Sequence, residues 1–431
     1  MFQGNAPRAT KPHAVTDAPR LSAFAPFRVR NFRFQWSADL VTSWAFEMES
    51  IILGWYVLVE TGSVVLLTLF GSMLFIGTLI APMIGVIGDR IGHRYLLVGM
   101  RAVYTVLAAA LTTLAFSGLI GPLYVFIIAA LQGVVRPSDL GIRAALTTAT
   151  MPPGHLVGAL GISRTTSDSA RIMGALAGAG LFVAFGMGPA YVVVTLFYLS
   201  GALLTLGVAR DEGHHPAAAE TTRPSPWRDL RDGIAHVWTT QRLLALMWIA
   251  FLVNGTAFPF VNGLMPYIAK EVYHTDQTGL GYLVASLSSG ALIGSIALSA
   301  IGNTVRLGRV ILIATVIWYA LLFVFAQMQT MLGGVITLVL AGFAQSFTMV
   351  SLAVILMRTS SPQFRGRVMG VRMLAIYSLP LGLMAGGGLI NTIGFHATGT
   401  FYATTGILLT LLIAWRWRAD LWRADAAANR R

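Results

Sequence analysis

Eleven charged side chains interrupt long apolar runs of this chain. They are Asp39, Glu47, Glu49, Asp139 and Asp168, with Arg101, Arg136, Arg143, Arg164, Arg171 and Arg372. If those runs cross a bilayer, each charge costs about 2.5–3.5 kcal/mol at its centre and needs a partner or a task. Gln35, Asp39, Ser43 and Glu47 recur every four residues and form one polar stripe on a helix. Glu49 lies about 200° around that helix from Glu47, so the two cannot face one cavity. Glu47, the deeper of the two, is the candidate proton carrier or substrate contact. Its other reading is a structural partner for an arginine, and for Asp39 that static reading leads.

Two triads follow. Arg136, Asp139 and Arg143 are spaced by three and four; Arg164, Asp168 and Arg171 are spaced by four and three. Each occupies one helical face. On antiparallel neighbours the spacings coincide, so Asp139 and Asp168 are expected to bridge diagonally to the arginines of the other helix. Such a network either holds the hairpin statically, or exchanges partners and receives substrate between two states. Its excess of arginine favours an anionic or zwitterionic substrate.

The elements that must position these groups follow from composition. The 431 residues are 56% hydrophobic and 11% charged, with a mean hydropathy of +0.71. A soluble domain carries about 25% charged residues, so the chain is read as an all-α polytopic membrane protein. Twelve apolar segments are long enough to span about 30 Å as helices. Their cores are 34–58, 63–87, 94–117, 122–148, 155–183, 187–209, 243–269, 277–301, 307–328, 331–357, 366–392 and 397–417.

Net charge is +13, and 23 of the 30 Lys and Arg fall in the tails and alternate connections, against Lys270 alone in the opposite ones. That alternation is a membrane-topology signal with both termini cytoplasmic; a nucleic-acid surface would not respect it. No cysteine is present, which removes disulfides and thiolate chemistry. His155, His214 and His215 lack metal-ligand company. There is no nucleophile–base–acid set and no phosphate loop, so neither an enzyme nor a cofactor is expected.

Residues 1–30 form an N-terminal tail and 419–431 a C-terminal one. The stretch 210–242 separates six spans (31–209) from six (243–418). Within it Ser225-Pro226 reads as a helix start, and Trp227, Leu230, Ile234, Val237 and Trp238 recur at helical spacing, an amphipathic helix on the membrane face. The turn Gly85–Arg94 is echoed weakly by Ala300–Arg309, which suggests a duplicated six-helix unit.

Gly85, Asp89, Arg90, Gly92 and Arg94 resemble the signature of the major facilitator superfamily between spans 2 and 3. Three further stretches, Gly54–Ser63, Trp227–Gly233 and Arg365–Gly370 continuing to Leu379–Gly382, resemble its branch of enterobactin exporters and macrolide efflux proteins. The sequence departs at Ala129, where many drug exporters carry an arginine ahead of Gln-Gly, and in span 5, which lacks the antiporter proline.

The resemblance implies two six-helix halves rocking about a midplane site, and proton-driven efflux of a siderophore, an antibiotic or a similar metabolite across the cytoplasmic membrane, by a monomer. Its rivals are uptake or lipid flipping on the same fold, or a non-transporting scaffold or sensor. It also implies that Asp89 faces the start of span 11 near Arg365 and Arg367 and latches the cytoplasmic side. Arg90 and Arg94 would tie the turn to neighbouring spans or head groups. A weaker second gate would use Arg306, Gly308 and Arg309, without an aspartate. Trp44, Phe46, Phe258, Phe260, Phe343 and Phe347 could line a lipophilic site, with Asn254, Asn262 and Gln345 as polar contacts. Gly174, Gly178 and Gly180 are read as helix-packing positions.

Overall fold

The computed structural model describes residues 25–209, 226–301, 306–361 and 364–423. All regular structure in them is helical. The first half holds α1 (Arg30–Thr61), α2 (Val64–Met73), α3 (Ala81–Ile91), α4 (His93–Phe116), α5 (Pro122–Thr150), α6 (Pro153–Phe185) and α7 (Met187–Leu206). Then come α8 (Pro226–Thr239), α9 (Gln241–Thr256), the short α10 (Phe258–Asn262) and α11 (Met265–Tyr267), and α12 (Gln277–Ile301). The chain closes with α13 (Leu307–Gln327), α14 (Met331–Thr359), α15 (Arg365–Ile376), α16 (Ser378–Ile393) and α17 (Phe395–Arg416).

Among the described residues nine helices, counting α15–α16 as one, are long and apolar enough to cross a membrane, or ten if α8 and α9, bent by 109°, form one span. The difference from the twelve expected segments has three physical sources. α1 is 32 residues long but carries the polar stripe, so it is not apolar enough to count. The expected segment 63–87 is broken into α2 and α3 by a 3₁₀ turn over Ile76–Leu79. The segment 243–269 is interrupted at Ala257 and Leu264, where Pro259 and Pro266 remove backbone donors. The amphipathic helix lies where periodicity placed it, as α8, although Ser225, its expected cap, lies outside the described residues.

Consecutive long helices run antiparallel, so their connections alternate between two ends. The arginine-rich connections share one, called here the basic end. At the other end the α6–α7 and α16–α17 turns each consist of a single glycine, Gly186 (φ 79°) and Gly394 (φ 83°), a conformation that a side chain would strain. A second likeness is a close approach. A Cβ on Gly133 of α5 would lie 1.9 Å from the Met73 carbonyl at the end of α2, and one on Gly342 of α14 would lie 2.0 Å from the Leu287 carbonyl of α12.

Two large apolar cores result, beside a small cluster of Phe32, Met151 and Ala159. Met48, Leu53, Tyr104, Leu111 and Val194 anchor the first, and Phe260, Trp318, Phe325 and Leu338 belong to the second. Ile51, Trp55, Ala175 and Ala179, from α1 and α6, join the second. The seam between first-half and second-half helices therefore lies toward the end opposite the basic one. There α6 packs along α12 and α2 along α16, with Ser72 Oγ donating to the Pro380 carbonyl at 3.1 Å.

Candidate functional site

Most charged residues of the spans sort into a buried set, on α1, α4 and α5, and a partly exposed set, on α1 and α6. Among the helices packed against α1 are α5, α6 and α7. α6 comes close because Gly174 and Gly178 lack side chains: a Cβ would lie 2.8 Å from Glu47 Cβ and 2.7 Å from Met48 Cα. Gly180 faces open space and plays no such part.

In the buried set, Asp39 pairs with Arg101 of α4 and lies 3.6 Å from Arg143 of α5. Arg143 also pairs with Asp139 one turn earlier on its own helix, and it donates to Ser43 Oγ at 2.8 Å. Gln35 Nε2 donates to the Arg143 carbonyl and to Thr147 Oγ1, both at 2.8 Å. Arg101, wholly buried, donates to Thr205 Oγ1 of α7 and to the Gly201 carbonyl. Two acids and two arginines balance, so the cluster is closed on itself.

Glu49 stands apart from it. Only 2% exposed, its carboxylate accepts from Gln132 Nε2 (2.9 Å), Tyr191 Oη (3.2 Å) and Tyr198 Oη (2.7 Å). This is a cage of neutral donors, with no ion pair to Glu49 among the described residues. Arg136, one turn beyond Gln132, lies over the Phe46 ring at 4.5 Å and donates to Ser50 Oγ at 3.2 Å. Phe46 packs on Tyr104 and Tyr198 and stands between the two buried sites.

The partly exposed set comprises Glu47–Arg171 (3.6 Å, side chains 24% and 44% exposed) and Arg164–Asp168 (3.3 Å, 70% and 21%). Charges at this depth would not face hydrocarbon; their exposure points to a water-filled space.

The expected diagonal bridges between the triads do not form. α1 lies beside both α5 and α6, and each triad turns to it. Arg143 meets Asp39 and Ser43, Arg136 meets Ser50, and Arg171 meets Glu47, while Asp139 and Asp168 each pair within their own helix. The stripe itself does face these helices. A step of four residues advances about 40°, which is how Gln35, Asp39 and Ser43 meet α5 while Glu47 meets α6. Glu49 does point elsewhere than Glu47, as the most completely buried acid of α1, a position that spacing along the helix does not reveal. The available signal was Tyr191 and Tyr198, two turns apart on one face.

At the turn between α3 and α4, Gly92 ends α3 and Arg94 Nη2 donates to the Leu206 carbonyl at 2.5 Å, tying the turn to α7. Arg90 is exposed. The surroundings of Gly85 and of the Asp89 and Arg365 side chains lie outside what is described, so the expected latch does too. Arg367 instead meets Asp232 of α8 at 3.6 Å and lies over Phe364. In the weaker copy, Arg306 precedes α13 and Gly308 is buried; Arg309 donates to the Trp422 carbonyl at 3.3 Å and lies over the Trp422 ring. Of the second-half polar candidates, Asn254 donates to the Ala250 carbonyl of its own helix. Among the described residues no group of His, Asp and Glu could hold a metal ion.

A helical membrane fold with paired buried charges and a glycine-punctuated turn after the second segment is what the family comparison resolves. The sequence model of the Major Facilitator Superfamily matches residues 36–383. The chain belongs to that superfamily. It is similar to the multidrug efflux pump Tap of Mycolicibacterium fortuitum, 26% identical over 357 residues that cover 80% of this chain and 85% of that protein. It is also similar to macrolide efflux protein A of Streptococcus pyogenes, 22% identical over 295 residues, 66% of this chain and 71% of that one. The crystal structure of the nucleoside transporter NupG superposes with a TM-score of 0.66 at 15% identity, covering 89% of this chain and 98% of that one, which shows the shared fold. As a major facilitator protein, the chain is a membrane transporter and not an enzyme.

Proposed function

We propose that the protein exports a small organic molecule, of the siderophore or antibiotic kind, across the cytoplasmic membrane by proton-driven alternating access. Twelve crossings are completed by α1, by the broken pair α2–α3 and by α9–α11. They divide into units 31–209 and 243–418, joined by 210–242, and the paired glycine turns and close approaches support that duplication. Both termini lie in the cytoplasm on the charge pattern, and the protein works as a monomer. Direction rests on the two efflux relatives.

The observation that carries the reading is the partly exposed Glu47–Arg171 pair inside the spans. An ion pair reachable by water at that depth can be opened by a proton on the carboxylate or by a competing substrate group. The seam opposite the basic end, with the exposed Arg164, is the arrangement expected of a site open toward the basic end.

Everted and right-side-out vesicles with an imposed proton gradient test this, using carboxyfluorescein and ethidium as anionic and cationic probes. Accumulation in everted vesicles that collapses with the gradient is expected. Accumulation confined to right-side-out vesicles would mean uptake. If Arg136→Ala and Arg171→Ala both transport at the wild-type rate, the site lies elsewhere.

A further inference from the structure

A groove opens on the side of the bundle where the two halves meet. Its volume is about 630 Å³, and it lies between α6 of the first half and α12 and α14 of the second. Ile172 and Leu176, one turn apart, form the α6 wall; Tyr282 and Ser286 stand on α12, and Met331 and Val339 on α14. Among the described residues no charged side chain lines it. The Ser286 hydroxyl donates to the Tyr282 carbonyl of its own helix at 2.6 Å, which leaves the walls largely apolar. The charge next to Ile172, Arg171, turns away to Glu47 on α1.

This groove faces lipid. On α12, Gly281 packs on α6, where a Cβ would lie 2.9 Å from the Ala179 Cβ, and Gly290 packs on the Val339 carbonyl of α14. Tyr282, Ser286, Ile293 and Ile296 share a face of α12 that neither contact covers. Tyr282, Ile293 and Ile296 are 54%, 55% and 60% exposed, as befits side chains that meet lipid tails. From Met331, in the first turn of α14, to Val339 the wall runs about 12 Å inward from the end opposite the basic one, at 1.5 Å per residue.

In a bilayer such a groove does not hold ordered water, and leaving it unfilled would cost its walls their dispersion contacts. A hydrocarbon chain has the chemistry to fill it, and the leaflet around its mouth supplies one. The two walls belong to different halves. A chain lodged there touches both while α6 lies on α12, and it loses one wall when they part. A ligand that binds one state better shifts the equilibrium toward that state. We propose that the groove binds an acyl chain of a bilayer phospholipid, from the leaflet at the end opposite the basic one, and that the bound chain favours the state in which α6 is closed on α12. The site stands on the groove itself; its coupling to closure rests on the alternating-access reading above.

The test uses the full chain in phosphatidylcholine liposomes that contain a phosphatidylcholine with a diazirine near the end of one acyl chain. After irradiation, adducts are mapped by mass spectrometry. They should be about tenfold more frequent on groove residues than on Leu408 of α17, which is 65% exposed. Ser286→Trp fills the groove and should lower its adducts about tenfold. Adducts on Leu408 should stay unchanged, which shows that the variant is folded and inserted. Gly387→Trp tests the coupling from a distance. Gly387 of α16 packs on α2, where a Cβ would lie 3.0 Å from the Thr68 Cβ, so a tryptophan there wedges the halves apart away from the groove. Groove adducts should again fall, and Gly387→Leu, a smaller wedge, should give a smaller fall.

Groove adducts no more frequent than those on Leu408, or undiminished by Ser286→Trp, overturn the site. Loss of groove adducts when ethidium or carboxyfluorescein is added overturns it as well, because the groove would then hold a transported molecule and not a lipid. Adducts that ignore both Gly387 variants overturn the coupling to closure. Failure of the transport reading looks different: the adducts behave as expected, yet vesicles move neither carboxyfluorescein nor ethidium.

Discussion

Asp39 and Glu47 stand two turns apart on α1, each against an arginine of a neighbouring helix, yet their surroundings oppose each other. The Asp39 side chain is 10% exposed and shares a closed, neutral set with Arg101, Arg143 and Asp139. Glu47 is 24% exposed and meets one arginine, itself 44% exposed, at 3.6 Å. The first arrangement is charge-balanced and shut off from water, although Asp139 Oδ1 and Arg143 Nη2 have no hydrogen-bond partner among the described residues. The second is a single weak contact beside water. One helix thus separates a set of charges that holds the fold from a set that can change partners, and the separation arises from the 40° advance of a four-residue stripe.

The strongest way to break this contrast is to unpair the buried set. Asp39→Ala leaves Arg101 and Arg143 facing each other without their shared acid, and a broken buried pair costs about 3–5 kcal/mol. Loss of most folded protein in a fluorescence size-exclusion assay is the expected result. Well-folded Asp39→Ala protein with wild-type thermal stability would show that the buried set is not what holds α1, α4 and α5.

Next in size is the seat of α1 on α6. Gly178→Val would drive a branched side chain into the Met48 backbone, 2.7 Å from its Cβ, and overpacking of this kind costs about 1–3 kcal/mol. A lowered melting temperature should come with loss of the Glu47–Arg171 contact, since both helices must part. An unshifted melting curve would mean that the contact between α1 and α6 is loose.

Glu49→Ala should cost a similar or smaller amount. It leaves the Gln132, Tyr191 and Tyr198 donors facing an empty cage, at about 1–3 kcal/mol for unmet buried groups. Glu49→Gln keeps part of the cage, so a milder loss is expected, with proton-dependent transport retained. Loss of proton dependence in a stable Glu49→Gln protein would move the coupling carboxyl from the exposed to the buried region.

How much of this was legible in the chain is uneven, for physical reasons. The all-helical membrane class, the α8 helix and the stripe of Gln35, Asp39, Ser43 and Glu47 could be read because hydropathy and a period of 3.6 are local properties. The partners could not. The diagonal pairing of Asp139 with Arg164 or Arg171 failed because triad spacing says which face a residue occupies, not which third helix stands beside that face. The breaks at Ile76–Leu79 and at Ala257–Leu264 were marked by Gly77, Pro259 and Pro266, but continuous hydrophobicity on both sides masked them. The Glu49 cage draws on α1, α5 and α7, and only the seven-residue spacing of its tyrosines left a trace in the sequence.

The smallest change in stability is expected at Glu47, where the contrast is sharpest. Glu47→Gln keeps the shape of the side chain and removes a contact between partly exposed groups, worth at most about 1 kcal/mol. Its melting temperature should stay within a few degrees of wild type. Transport should change far more: a glutamine cannot take up and release a proton, and it leaves Arg171 without its acid. In vesicles with an imposed pH gradient, Glu47→Gln should therefore lose the dependence of transport on that gradient while probe exchange at equal pH persists. If the variant keeps wild-type proton dependence, exposure and a single weak partner do not mark the coupling group, and the division between a structural and a working set of charges on α1 fails at its most exposed member.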